Sequence, residues 1–173
     1  LAYIFDTNFM EQSELIEKIN LLRKEKNAVI MAHYYQEGAI QDIADMIGDS
    51  LALVQWATKT TADILVVCGV HFMGETAKIL SPHKKVLVPD MNAGCSLADS
   101  CKAEDFEAFI KQHPGHTVIS YVNTTAAVKA LTDVVVTSTN ARKIVDQFSQ
   151  DAKLIFGPDR NLGDYINNIS GRN

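Results

Sequence analysis

The chain has 173 residues, of which 47% are hydrophobic and 21% are charged, with a formal net charge of −5. This composition is typical of a globular protein with a substantial core, and the negative charge argues against nucleic acid or an anionic membrane as the main partner. The sequence has no apolar run of membrane-spanning length, no signal-peptide pattern and an odd number of cysteines, so we expect a cytoplasmic protein.

Short runs rich in β-branched residues alternate along the chain with longer helical patterns. The predicted strands lie at 28–35, 63–70, 85–90, 117–123, 133–139 and 153–159. The predicted helices lie at 14–25, 39–47, 51–60, 75–80, 103–113, 125–132, 141–149 and 162–169. Most strand runs are continuously apolar, as in parallel sheets that are covered on both faces. The alternation therefore predicts an α/β fold with right-handed crossovers.

The order of these segments also indicates an internal repeat. The runs DILVV and DVVVT, which begin at Asp63 and Asp133, each precede a helix, a strand and a Pro-Asp turn. PDMNAG at 89–94 shares its spacing with PDRNLG at 158–163, although Pro-Asp-x-Asn is also common turn chemistry. We interpret the match as a duplicated three-strand α/β unit, with the cysteine-containing segment between the two copies.

Polar residues cluster where the predicted parallel strands end, which is where ligands bind in such folds. These residues are His33, Tyr35, Ser50, Tyr121, Asn123 and Ser138. His33 and Tyr35 alternate along a strand, so they project to one side and supply a proton carrier and a phenol. Ser50 and Ser138 are most simply helix N-caps. A helix N-terminus also binds phosphate, so the two serines weakly indicate a phosphorylated substrate.

The three cysteines form no Cys-x-x-Cys motif, which argues against a thioredoxin-like pair or a zinc ribbon. Cys68 lies in an apolar strand and Cys101 near the start of a helix. Cys95 follows Gly94 in the loop between the two units, where its thiol could be a nucleophile or one ligand of a site completed elsewhere. No glycine-rich nucleotide signature is present, so bound NAD or ATP is not expected.

The segments MAHYYQ, DIADMIGDSLAL, VVCGVHFMGETAKIL, VLVPDMNAGCSLAD, YVNTTAAVKA, VVVTSTNA and PDRNLGDYI together resemble the quinolinate synthase family in colinear order. The resemblance implies Rossmann-like three-layer αβα units with short parallel sheets, repeated by pseudo-symmetry around one cleft. It also implies that two of three units are present, at 1–100 and 101–173, and that the third is absent, so the chain is expected to be incomplete.

The resemblance implies an enzyme of de novo NAD biosynthesis, a transferase that condenses iminoaspartate with dihydroxyacetone phosphate to quinolinate. Its [4Fe–4S] cluster would act as a Lewis acid, with Cys95 as a ligand and two further cysteine ligands outside this chain. The implied catalytic residues are His33, Tyr35 and Tyr121. The implied substrate-binding residues are His33, Ser50, Tyr121, Asn123 and Ser138.

The expected partners are the two substrates and, functionally, an aspartate oxidase or dehydrogenase, with a homodimer as a possible assembly and with no nucleic acid or membrane. Two other hypotheses stay open. The chain could be a phosphate- or metabolite-binding α/β module without catalysis, or a thiol enzyme in which Cys95 is the nucleophile and His33 the base.

Overall fold

The computed structural model describes residues 12–172. In this range the helices are α1 (Gln12–Glu25), α2 (Gly38–Asp42), α3 (Ser50–Lys59), α4 (His71–Leu80), α5 (Ser96–Asp99), α6 (Ala103–Gln112), α7 (Ala126–Lys129), α8 (Ala141–Val145) and α9 (Arg160–Ser170). The strands are β1 (Ala28–His33), β2 (Met46–Gly48), β3 (Ile64–Cys68), β4 (Lys85–Leu87), β5 (Thr117–Tyr121), β6 (Val134–Val136) and β7 (Leu154–Gly157). None of the described helices is long and apolar enough to cross a bilayer.

The strands form two short parallel sheets. The first has the order β2-β1-β3-β4 and the second the order β6-β5-β7, and every pairing within them is parallel. Helices and strands alternate, apart from the consecutive helices α5 and α6, because parallel neighbours need a crossover between them. The predicted α/β fold of Rossmann-like αβα units is confirmed.

Each sheet packs helices against its faces. In the first sheet, Met31 and Leu65 are fully buried under α3 and α4, and Leu53 of α3 is buried with them. Each such side chain contributes about 1.5–3 kcal/mol by leaving water. In the second sheet, α8 and α9 cover the face that carries Ile119, while α6 and α7 cover the face that carries Val118. The described part of the second unit therefore has three layers.

The two sheets repeat one connectivity. In the first, α1 leads into the central strand β1, α2 into β2 on one side and α3 into β3 on the other, and α4 follows. In the second, α6, β5, α7, β6, α8, β7 and α9 follow in the same order. The strand register makes His33 and Tyr121 equivalent, since each pairs with the last residue of the neighbouring edge strand. Strand β4 and helix α5 are additions to the first unit.

The predicted alignment of the repeat is wrong by one strand. The run that begins at Asp133 leads into β6, whose counterpart is β2, whereas the run at Asp63 leads into β3. PDRNLG follows β7 and PDMNAG follows β4, which occupy different places in their sheets. The shared motif therefore reflects turn chemistry and not the repeat. The first sheet also has four strands where three were predicted.

An aspartate before β2 and another before β6 fix the register of these two edge strands. The Asp45 carboxylate accepts a hydrogen bond from Ile30 N at 2.8 Å, and Asp45 N donates to Ile30 O at 2.8 Å. The Asp133 carboxylate accepts from Val118 N at 2.8 Å, and Asp133 N donates to Val118 O at 2.9 Å. Asp45 is thus the true counterpart of Asp133.

The predicted helix at 39–47 is also corrected. Helix α2 ends at Asp42 and β2 begins at Met46, because the Asp45 contacts pull this segment onto β1. Helix α4 begins at His71, before the predicted residue 75, and α5 was not predicted. The predicted boundary at residue 100 lies between α5 and α6 and stays a prediction, while residues 1–11 of the predicted first unit lie outside the described residues.

Candidate functional site

A cleft of about 550 Å³ lies at the carboxyl ends of strands from both sheets. Loops that follow β1, β2, β5 and β6 line it, together with the start of α4 and the loop before α5. The sequence-predicted residues all line this one cleft, namely His33, Tyr35, Ser50, Cys95, Tyr121, Asn123 and Ser138. Their roles in binding or catalysis stay predictions.

The cleft residues form pairs at equivalent positions of the two sheets. His33 ends β1 as Tyr121 ends β5. By the same register Tyr35 matches Asn123, and Ser50, which follows the end of β2, matches Ser138, which follows the end of β6. The pairs bring an imidazole, phenols, an amide and two hydroxyls to the cleft.

His33 and Tyr35 contact each other through their rings, with centroids 3.8 Å apart. Strand β1 ends at His33, so Tyr35 lies in the following turn, and the pairing does not come from strand alternation as predicted. His33 Nδ1 accepts from Tyr35 N at 3.3 Å, which leaves the ring proton of the neutral form on Nε2. Burial lowers the pKa of His33, and the Asp49 carboxylate opposes this shift. His33 is therefore a neutral donor at pH 7.

The Tyr35 hydroxyl is held by the start of α4. It accepts a hydrogen bond from Val70 N at 3.0 Å and lies 3.7 Å from Met73 Sδ. Burial raises the pKa of Tyr35, and the hydrogen bond from Val70 partly offsets this. The phenol is therefore protonated at neutral pH and can donate to a ligand in the cleft.

Tyr121 joins the ends of β5 and β6. Burial raises the pKa of Tyr121, Asp159 adds to the rise, and a hydrogen bond with Ser138 lowers it in part. Tyr34 and Cys95 of the first unit are also close enough to raise the pKa of Tyr121. Residues from the two sheets therefore share one electrostatic environment.

Neither Ser50 nor Ser138 is a helix N-cap, contrary to the prediction. Asp49 caps α3, since its carboxylate accepts from Ala52 N at 2.8 Å, and Ser50 is the first helical residue. Asn140 occupies the N-cap position of α8. Both serines line the cleft without serving as caps.

The cysteines lie in three different places. Cys95 precedes α5 and lines the cleft. Cys68 lines a groove on the opposite side of the first sheet from its core, and Cys101 packs near Phe106 beside the second sheet. Burial raises the pKa of both Cys68 and Cys101. Among the described cysteines Cys95 is the one that lines the cleft, and its role as a ligand stays a prediction.

The family model described as Quinolinate synthetase A protein matches residues 17–173. The chain belongs to this family. It is 61% identical to the quinolinate synthase of Synechocystis sp. over 159 residues, which are 92% of this chain and 50% of that protein. It is 58% identical to the quinolinate synthase of Trichormus variabilis, covering 92% of this chain and 49% of that protein, and 58% identical to that of Prochlorococcus marinus, covering 93% and 48%. The chain spans about half the length of the curated relatives it matches.

This membership confirms the resemblance, and the iron–sulfur cluster of the predicted family chemistry can be tested against the residues present. A [4Fe–4S] cluster with one open iron needs three thiolates. Within 12–172 the cleft holds one thiol, that of Cys95, and no group of three or more His, Cys, Asp or Glu side chains could hold a metal ion. The described residues of this family member therefore supply one of the three thiolates that such a cluster needs.

Sequence reasoning missed several cleft residues of this family member. Asp49 caps α3 and partly opposes the lowering of the His33 pKa, and its place just before the predicted helix at 51–60 was the available signal. Phe72 and Met73 line the cleft from α4. They were missed because the predicted helix began too late, at residue 75.

Proposed function

We propose that this chain supplies two of the three units of a quinolinate synthase. The enzyme condenses iminoaspartate with dihydroxyacetone phosphate to quinolinate in de novo NAD biosynthesis. Family membership supports the reaction, and the observation that carries the proposal is the single cleft in which paired polar residues of both sheets meet. The three unpaired cysteines fit a cytoplasmic enzyme.

Within this proposal each unit supplies substrate contacts. Ser50 and Ser138 hold the phosphate through their hydroxyl groups, since both line the cleft. His33 donates from Nε2 to a substrate carboxylate or oxygen and moves protons with Tyr35. Tyr121 and Asn123 donate from the opposite side of the cleft. These contacts orient two small polar substrates toward each other.

Cys95 is the proposed cluster ligand of this chain, and two further cysteine ligands lie outside it. A [4Fe–4S] cluster supplies an open iron that acts as a Lewis acid on a substrate oxygen. The proposal includes a functional link to an aspartate oxidase or dehydrogenase that supplies iminoaspartate, and a homodimer as a possible assembly. It includes no nucleic-acid or membrane partner.

The test is quinolinate formation by the full-length protein, purified and reconstituted with iron and sulfide without oxygen. Aspartate oxidase generates iminoaspartate in the assay, and dihydroxyacetone phosphate is added last. We expect quinolinate only when both substrates are present. A reconstituted protein that forms none would refute the proposal. Substrate binding without product would favour a metabolite-binding module, and activity that survives iron chelation would favour a thiol enzyme.

The cysteine assignment is tested by iron content. Cys95→Ser should lose its iron and the cluster absorbance at about 400 nm. Cys68→Ser and Cys101→Ser are matched controls and should keep both, because these thiols lie outside the cleft. Loss of iron in Cys101→Ser but not in Cys95→Ser would contradict the assignment.

A further inference from the structure

Two short loops carry cleft residues out of the central strands. The strand-end loops are residues 34–36 after β1 and residues 122–124 after β5. Tyr35 is the middle residue of the first loop and Asn123 of the second, and both line the cleft. The backbone carbonyls of these loops lie beyond the ladders of their sheets, so the loops need other hydrogen-bond donors to keep one shape.

One side chain in each unit donates to both outer carbonyls of its loop. Gln41 Nε2 donates to Tyr34 O at 3.2 Å and to Gln36 O at 2.7 Å. Lys129 Nζ donates to Val122 O at 2.9 Å and also to Thr124 O. Gln41 follows His33 at the same chain distance at which Lys129 follows Tyr121, so the two donors are equivalent in the repeat.

The loops agree in one further bond. In the first loop, Gln36 N donates to His33 O at 2.9 Å. In the second, Thr124 Oγ1 donates to Tyr121 O at 3.0 Å, and Thr124 is fully buried. In both units, therefore, the carbonyl at the end of the central strand accepts a hydrogen bond from the residue three positions later. The donor is a backbone N–H in the first unit and a side-chain hydroxyl in the second. The loop shape recurs even though the residues that make it differ.

We propose that Gln41 and Lys129 are positioning residues, which hold the two strand-end loops so that Tyr35 and Asn123 face the ligand. This inference rests on the proposed function for the identity of the ligand, but not for the contacts. Neither residue needs to touch the substrate, because each acts through the backbone of its loop. An unheld loop would have to be ordered by the ligand at the moment of binding, which weakens affinity.

The second loop is also tied to the first unit. Glu75 of α4 accepts a hydrogen bond from Ala126 N at 2.9 Å, and Lys129 Nζ lies 5.4 Å from the centre of the Phe72 ring. Burial lowers the pKa of Lys129 to about 8, and the Glu75 carboxylate opposes that shift. A charged donor suits this loop because it faces a carboxylate and an aromatic ring of the neighbouring unit.

Amide hydrogen exchange and steady-state kinetics of the full-length protein test the proposal. In Lys129→Met, exchange of the amides of 122–126 should become about tenfold faster or more, as expected for the loss of a charge-assisted hydrogen bond. KM should rise by more than kcat falls, because the change weakens binding. Lys129→Gln copies the donor of the first unit and should restore part of the loss in both measurements, because a neutral hydrogen bond is weaker than a charge-assisted one.

Lys78→Met is the matched control. Lys78 Nζ also donates to two carbonyls, those of Pro82 and Lys84, but it lies outside the cleft. This variant should leave KM, kcat and the exchange of 122–126 unchanged. If Lys129→Met does not fold, Gln41→Leu makes the same test through the exchange of 34–36.

Two results would overturn the inference: loop exchange in Lys129→Met equal to that in Lys78→Met, or Lys129→Gln as impaired as Lys129→Met. Exchange is measured without substrate. A parent protein that makes no quinolinate would therefore count against the proposed function alone, while loop exchange would still decide the role of Lys129.

Discussion

Removal of the Asp133 carboxylate should destabilise the second sheet. The carboxylate accepts from Val118 N at 2.8 Å, and Val118 is buried, but Asp133 itself is exposed, so water can partly replace the acceptor in Asp133→Ala. The backbone bond from Asp133 N to Val118 O can persist, which limits the loss to one hydrogen bond. A typical hydrogen bond contributes about 0.5–1.5 kcal/mol net to stability. We expect a loss of that size in the free energy of unfolding, measured by urea denaturation.

Three further variants serve as comparisons for Asp133→Ala. Asp133→Asn keeps a neutral oxygen acceptor and should lose no more than about half as much. Asp45→Ala should lose at least as much as Asp133→Ala, because its contact to Ile30 N has the same length and its carboxylate also pairs with Arg23 at 3.1 Å. Asp164→Ala removes an exposed ion pair with Arg160 and should cost less than about 1 kcal/mol. Equal effects of Ala and Asn at residue 133, or none from Ala, would refute the reasoning.

Three further predictions concern the cleft. Ser138→Ala and Ser50→Ala should each weaken the apparent affinity for dihydroxyacetone phosphate by about tenfold to a hundredfold, through loss of a charge-assisted hydrogen bond; an unchanged dependence on this substrate would rule the role out. Tyr35→Phe should lower kcat while iron content and melting temperature stay close to the parent values, and full activity would make Tyr35 cleft lining only. Burial lowers the folded-state pKa of His33 below 6.5, so as the pH falls the unfolded chain takes up this proton before the folded protein does. The free energy of unfolding should therefore fall as the pH drops from 6.5 through the folded-state pKa. Melting temperatures measured between about pH 5 and 8 should depend less steeply on pH in His33→Gln than in the parent protein.

The central strands of the fold could be predicted from sequence because they are continuous apolar runs. Strand β2 could not, since it has only three residues and the apolar side chains of Ile40, Ile43 and Ile47 recur at helical spacing. What makes this segment a strand is the contact from Asp45 to Ile30, which is distant in sequence. Local pattern carries no information about such a contact.

The candidate site was predictable in position and less so in detail. Residues at strand ends could be named because parallel strands direct their carboxyl ends to one edge. The pairing of His33 with Tyr121, and of Tyr35 with Asn123, was hidden because equivalent positions hold unlike residues. The motif that looked repeated, PDMNAG and PDRNLG, joins positions that are not equivalent. Sequence identity within the chain was thus a poorer guide to its repeat than strand register.

The unlike pairs give the cleft a direction. A perfectly symmetric pair of units would bind an elongated ligand equally well either way round, and half of the bound molecules would face the wrong partner group. Here one end offers an imidazole and a phenol, from His33 and Tyr35, and the other a phenol and an amide, from Tyr121 and Asn123. If reversal loses one hydrogen bond to a charged group, worth about 1.5–3 kcal/mol, more than about nine in ten ligands bind in a single orientation. Different residues at equivalent positions of the two loops are therefore enough to select one binding orientation of a small molecule.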